Sequence, residues 1–217
     1  MRLPVAVCAP FDFGHSLAFL RRFEACRDDF VIDHHSVTAA ISVGGRAVPF
    51  RIEAEDGEVM VDPGDVTPAT CDAVVRTAAH LLGADDDLGG FYAAAAGDHP
   101  SFQAIVRALH GLHHVRFLTL AEISVYAVLM QRAPITQAAR AKRRFLERFG
   151  RPVTVDGRVL HAMPSLAELA AALASLGANE LRATVRHPRK AAVLPGVFSA
   201  VAPLGEEHGV APFAMSL

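Results

Sequence analysis

The chain has no tryptophan and only two tyrosines, so its aromatic side chains are almost wholly its 13 phenylalanines. Cysteine is as scarce. Cys8, Cys26 and Cys71 stand far apart, are odd in number and form no Cys-x-x-Cys pair. That argues against a disulfide framework and against a cysteine-rich zinc site, and leaves buried free thiols as the reading. No apolar run reaches the roughly 20 residues that a membrane-spanning helix needs. The opening MRLPVAVCAPFDFG carries one arginine and a short apolar stretch before Asp12, a poor secretory leader. The expectation is a cytoplasmic protein. Lysine is nearly missing as well, with Lys142 and Lys190 the only two.

What basic charge there is comes from arginine, and it is unevenly spread. Residues 1–88 hold 7 Lys+Arg against 15 Asp+Glu, whereas residues 89–217 hold 14 against 8. Opposite halves point to two modules with different tasks. Arginine suits bidentate contact with a phosphate backbone. A solvated helix face carries the same charges equally well.

Residues 1–88 are expected to form an α+β module, a small antiparallel sheet with helices. RLPVAV is a short strand. A helix is expected over about 14–24, because Phe13, Leu17 and Leu20 fall at i, i+4 and i+7, with Phe19 and Phe23 on an adjoining stripe. SVTAAISV, RAVPFRIEA and EVMVD are strands, parted by the hairpin signals Gly44-Gly45 and Asp56-Gly57. Pro49 marks the second of these as an edge. Thr67 caps a helix that begins with Pro68 and ends at Gly83. Asp85 to Asp87 and Gly89-Gly90 make a domain junction. Residues 89–217 are then expected to be an all-α bundle, with helices near 101–110, 118–131, 135–149, 165–176 and 189–202. Pro164 starts one of these, and Gly150 and Gly177 each end one. The nearly continuous apolar segment 118–131 is the buried central helix.

FLTLAEISVYAVLMQRAPITQAARAKRRFLERFG, residues 117–150, resembles the helix-hairpin-helix DNA glycosylases, in particular the DNA-3-methyladenine glycosylase II (AlkA-like) branch. That family has a central helix ending in a Gln-containing loop and a following helix rich in Ala and Arg. MPSLAELAAALASLGANELRATVRHPRKAAVLPGVFSAVA is similar to the family's next block, and an αβ module upstream is also typical. The resemblance runs from about residue 10 to 208.

The resemblance implies a DNA-repair protein that flips an alkylated purine out of duplex DNA and hydrolyses its N-glycosidic bond, without metal or organic cofactor and as a monomer. PFDFGHSLAFL matches a segment at the mouth of the base pocket, which places Phe19 there. An electron-rich ring suits a cationic alkylated base. Gln131 and Arg132 match the loop that fills the gap left by the flipped nucleotide, with Arg132 in place of a wedge residue that is more often apolar or Gln. Apart from the resemblance, Arg140 and Arg144, one turn apart, and Arg189 and Lys190, at a helix start, are candidate phosphate contacts by charge and spacing, with a solvated helix face as the alternative.

The family's helix-hairpin-helix and its following Asp have no counterpart before Leu217, so no catalytic residue is nominated. Asp98 and Asp156 lack motif support, and LPGV at 194–197 lacks the Gly-x-Gly form. The printed chain is therefore expected to be an incomplete glycosylase fold and inactive by itself. The alternative is a non-catalytic relative that binds DNA or a protein. His110, His113, His114 and the pair His34-His35 have no acidic or cysteine partner at metal-ligand spacing.

Overall fold

The structure is a computed structural model that describes residues 2–26, 28–64 and 66–205. It divides into two compact units, Met1–Ala40 with Pro49–Leu118, and Ile41–Val48 with Thr119–Leu217. This division does not coincide with the composition shift at residues 88 and 89. Helices α3 (Gly89–Ala95) and α4 (Pro100–Ala108) count with the first unit.

The sheet has five strands in the order β1-β5-β4-β3-β2: β1 Leu3–Val5, β2 Val31–Ile32, β3 Ser36–Val43, β4 Arg46–Glu55 and β5 Glu58–Asp62. Alternation sets its core face. Val48, Phe50 and Ile52 are buried along β4, and Val59 and Val61 along β5, while Pro49, Arg51 and Met60 between them are exposed or half-buried. Asp56 and Gly57 both take positive φ, 51° and 85°, as a two-residue hairpin turn requires.

Pro49 overturns the edge reading, since β4 lies between β5 and β3. The β4–β5 ladder begins only at Arg51 opposite Asp62. Proline sits beyond it and removes no donor from that pairing.

Helix α1, Phe13–Arg22, buries Phe13, Ser16, Leu17 and Leu20, the expected stripe plus a serine. Phe23 follows the helix as its C-cap and is half-buried, not a core residue as its place beside the stripe predicts. Helix α2, Pro68–Leu82, has the predicted limits: Thr67 accepts from the N–H of Thr70, and Gly83 turns the chain out at φ 60°. A Cβ at Gly83 would also lie 2.6 Å from the His114 carbonyl oxygen, so glycine is required twice over.

The second unit is mostly helical. Helix α5, Leu120–Met130, is buried on nearly every side. Helix α6, Ile135–Phe149, is amphipathic and buries Ala138, Ala141, Lys142, Phe145 and Leu146. It is followed by a hairpin that the all-α expectation omits, β6 Arg151–Val155 and β7 Arg158–Ala162. Its turn is Asp156-Gly157, with φ 49° and 74°. The identity of Asp156 is thus explained by turn geometry.

Helix α7, Leu166–Ser175, starts at a capping box of Ser165 and Glu168, one residue after Pro164. Gly177 caps the start of α8, Ala178–Val185, and does not end α7. Helix α9, Pro188–Val201, contains Pro195 and the whole LPGV segment, which is therefore helix interior.

Candidate nucleic-acid interface

The apolar face of α6 fixes the direction of its polar one. With Ala138, Lys142 and Phe145 inward, Gln137, Arg140 and Arg144 share another stripe at i, i+3 and i+7. The turn between α8 and α9 stands across from this stripe. Arg186 ends α8 in the left-handed region, φ 56°, with its N–H on the Arg182 carbonyl at 2.8 Å. His187 then caps α9, its side chain accepting from the Lys190 N–H.

A cleft of about 220 Å³ opens here, lined by Gln137, Arg140 and Arg144 of α6, by Val185, Arg186 and His187 of the turn, and by Lys190 of α9. Leu129, Ala133 and Ala141 supply apolar lining, and among the described residues no carboxylate takes part.

Two of the cations are fixed by helix ends. The Arg144 guanidinium donates from Nε to the Thr184 carbonyl at 3.1 Å and from Nη2 to that of Val185 at 3.5 Å. These carbonyls at the end of α8 would otherwise lack partners. Lys190 Nζ donates to the Leu129 carbonyl at 2.7 Å, near the end of α5. Burial holds the Arg144 pKa below the usual guanidinium range; Arg186 adds to this, as do Arg143 and Arg140, and Glu147 opposes them. Positive charge in the cleft is crowded and poorly compensated.

The cleft adjoins the α5–α6 loop through Ala133. Gln131 and Arg132 in that loop are exposed, and Arg132 stands at φ 50°, a conformation rare for a residue with a side chain. Ile135, the first residue of α6, is 46% exposed.

The structure therefore brings Arg140, Arg144 and Lys190 to one cleft, with Gln131 and Arg132 in the loop beside it. Arg189 is exposed on the first turn of α9, outside the lining. Lys142, part of the same basic run in sequence, points into the core instead. Sequence reasoning missed Gln137, Arg186 and His187. The available signal was Pro188, which marks His187 as a helix cap and Arg186 as the end of the helix before it.

Phe19 belongs to the first unit. It is 40% exposed and stacks on Phe23, ring centroids 5.3 Å apart, while Phe23 meets Phe117 edge-on at 6.1 Å. The result is a partly open row of three rings. Nearby sequence positions do structural work. His113 is buried, with Nδ1 2.7 Å from the Gly83 carbonyl and Nε2 2.9 Å from that of Pro10. Among the described residues, no three of His, Cys, Asp and Glu come together as metal ligands. No helix among them is long and apolar enough to cross a membrane.

No protein-family model matches the chain, and no curated protein matches it. Solved structures do. A 3-methyladenine DNA-glycosylase from Archaeoglobus fulgidus superposes with a TM-score of 0.70 at 19% identity, over 91% of this chain and 66% of that one. MBOgg1 in complex with a low-affinity DNA ligand gives 0.62 at 16% identity, over 92% and 62%. The 8-oxoguanine glycosylase/lyase of Clostridium acetobutylicum, in complex with double-stranded DNA, gives 0.60 at 12%, over 89% and 60%. The chain thus spans less than two thirds of the length of each. At these identities the likeness is one of fold, and it is the fold that the sequence resemblance implies.

Proposed function

We propose that this chain acts in base-excision repair, binding double-stranded DNA through its helical unit as part of an alkylbase DNA glycosylase. The observation that carries the reading is the superposition on the 3-methyladenine DNA-glycosylase, 0.70 over 91% of this chain. The arginine-lined cleft beside the Gln131–Arg132 loop supports it.

On this reading the bond broken is the one between the sugar C1′ and the base nitrogen. The base leaves with the bonding electrons, and water supplies the new C–O bond. A cationic alkylated purine is held by electron-rich faces, which Phe19 and its neighbour Phe23 offer. Gln131 and Arg132 enter the gap in the base stack, and exposed Ile135 adds the apolar surface of a wedge. Arg140, Arg144, Arg189 and Lys190 neutralise phosphates. No side chain is assigned the carboxylate role that opposes positive charge on the sugar, so the 217-residue chain is proposed to bind DNA as a monomer without releasing base.

A second reading is favoured by α4, a helix with no buried residue. Phe91 of α3 and Phe102, Ile105 and Leu109 on or next to α4 are exposed, which suits a protein-interaction relative instead.

The test uses the 217-residue protein, freed of host glycosylases, with alkylated duplex DNA at two salt concentrations. Salt-sensitive binding without base release is expected. Base release above a buffer control places the catalytic carboxylate within these residues. No binding at either salt concentration favours the protein-interaction reading.

A further inference from the structure

We infer that the cleft between α6 and the α8–α9 turn takes a single phosphate group, gripped by Arg186 and Arg140, and that Arg186 is kept in its left-handed conformation for this contact. The inference rests on the DNA-binding reading of this unit but concerns one site and one residue that the sequence left unassigned.

The size of the cleft sets the class of ligand. Pockets for whole small molecules hold about 300–1,000 Å³. At about 220 Å³ this one suits a tetrahedral anion better than a nucleotide. Its lining sets the charge: Arg140, Arg144, Arg186 and Lys190 with His187, and, among the described residues, no acidic side chain. Arg144 and Lys190 are anchored to the carbonyls of Thr184 and Leu129, so part of the cationic wall is preformed. Arg140 and Arg186 are exposed and close the site from either side.

Backbone conformation singles out Arg186. Glycine is the residue that ends a helix at φ 56° without steric conflict. Asp56 and Asp156, two of the other non-glycine residues at positive φ, stand in hairpin turns that suit aspartate. Arg186 forms the left-handed C-cap of α8, where glycine serves the backbone better than arginine, so the choice of arginine needs a reason beyond the turn. A guanidinium held in a cation-lined cleft is a reason, because its planar fork matches two phosphate oxygens at once. The lowered pKa of Arg144, caused first by burial and then by Arg186, agrees with charge awaiting an anion.

Phosphate of this kind comes from a DNA phosphodiester or from free phosphate, and the experiment separates them. The 217-residue protein, its Arg186→Gly and Arg140→Ala variants, and Arg158→Gln are titrated with labelled duplex across a salt series. The same proteins are titrated with inorganic phosphate and followed by amide NMR. Arg158 is exposed on β7, so its variant removes the same charge elsewhere. Arg186→Gly is expected to melt no lower than the parent, to bind duplex roughly tenfold more weakly and to lose about one unit of salt slope. Arg140→Ala should follow it, and Arg158→Gln should stay within about twofold of the parent.

That outcome supports a phosphodiester in the cleft. Should the parent ignore duplex while inorganic phosphate shifts the Arg186 and His187 amides, an effect lost in Arg186→Gly, the cleft stands as a free-phosphate site and the DNA reading falls. Equal weakening by Arg186→Gly and Arg158→Gln overturns the cleft and leaves the DNA reading standing. Binding of neither probe overturns both.

Discussion

Lys142 Nζ lies 2.5 Å from Glu122 Oε1 inside the second unit, with the two side chains 1% and 4% exposed. The pair joins α6 to α5 and withdraws one cation from the basic run in which it stands. Breaking a buried pair strands a charge, whereas replacing both members need not. Lys142→Met is therefore expected to lower stability by about 3–5 kcal/mol in urea unfolding, and Lys142→Met with Glu122→Leu to recover most of it. DNA affinity should be unchanged wherever the fold survives. A single mutant as stable as the double would show that the pair carries no such strain.

Ser16 is fully buried in α1, and its Oγ is the one buried side-chain polar atom among the described residues without a hydrogen-bond partner. An unsatisfied hydroxyl opposes folding, and alanine fits the same space with better helix propensity. Ser16→Ala should raise stability by about 1 kcal/mol. A measured loss in thermal or urea unfolding would mean that the hydroxyl has a partner, such as an ordered water.

The phenylalanines of α1 are expected to separate sharply on truncation. Phe13 is 6% exposed, so Phe13→Ala should cost about 3–5 kcal/mol. Phe19 is 40% exposed and loses mainly its stacking on Phe23, a matter of about 0.5–1.5 kcal/mol. Equal large losses would place Phe19 in the core and remove it as a base-pocket residue.

Asp33 gives the acid limb of the stability profile. Its carboxylate accepts from the His35 and Ser36 N–H groups, both at 3.0 Å, from Ser36 Oγ at 2.8 Å and from Arg51 at 3.0 Å. The His35 bond first, then that of the Ser36 hydroxyl, draws its pKa below the ordinary aspartate value. The folded state thus favours the ionised form. Its contribution is fully present above the unfolded pKa of about 3.9 and fades as pH falls through the lower folded value. Asp33→Asn should flatten unfolding midpoints below about pH 4 and leave the neutral region lower but level. An unaltered acid limb would assign it to other carboxylates, Glu168 among them.

Much of the framework was legible because its signals are local. Thr67, Pro68 and Gly83 bound α2 by side-chain chemistry that needs no tertiary partner. The run from Ile135 to Phe149 announces α6 by periodicity alone. The β6–β7 hairpin was missed although Asp156-Gly157 carries the same turn signal as Asp56-Gly57. Its strands are short and lie amid helices, so the apolar alternation of Val153, Val155 and Leu160 does not stand out.

Helix α8 was missed for a related reason: Leu181 and Val185 are too few to make a stripe. The cleft was beyond reach for another. Arg140 and Arg186 are 46 positions apart and meet only because α6, α8 and α9 pack together. Burial of Lys142 likewise depended on finding Glu122 across the bundle.

The chain's two lysines are both occupied, Lys142 in its buried pair and Lys190 on the Leu129 carbonyl. Enzymes that tune a basic surface by acetylation act on lysine amines, and among the cations lining the cleft only Lys190 is a lysine. Arginine keeps its proton at every physiological pH and is not an acetyl acceptor. The positive lining of the cleft is therefore mostly a fixed charge: ionic strength can screen all of it, whereas acetyl transfer reaches only the share that Lys190 carries.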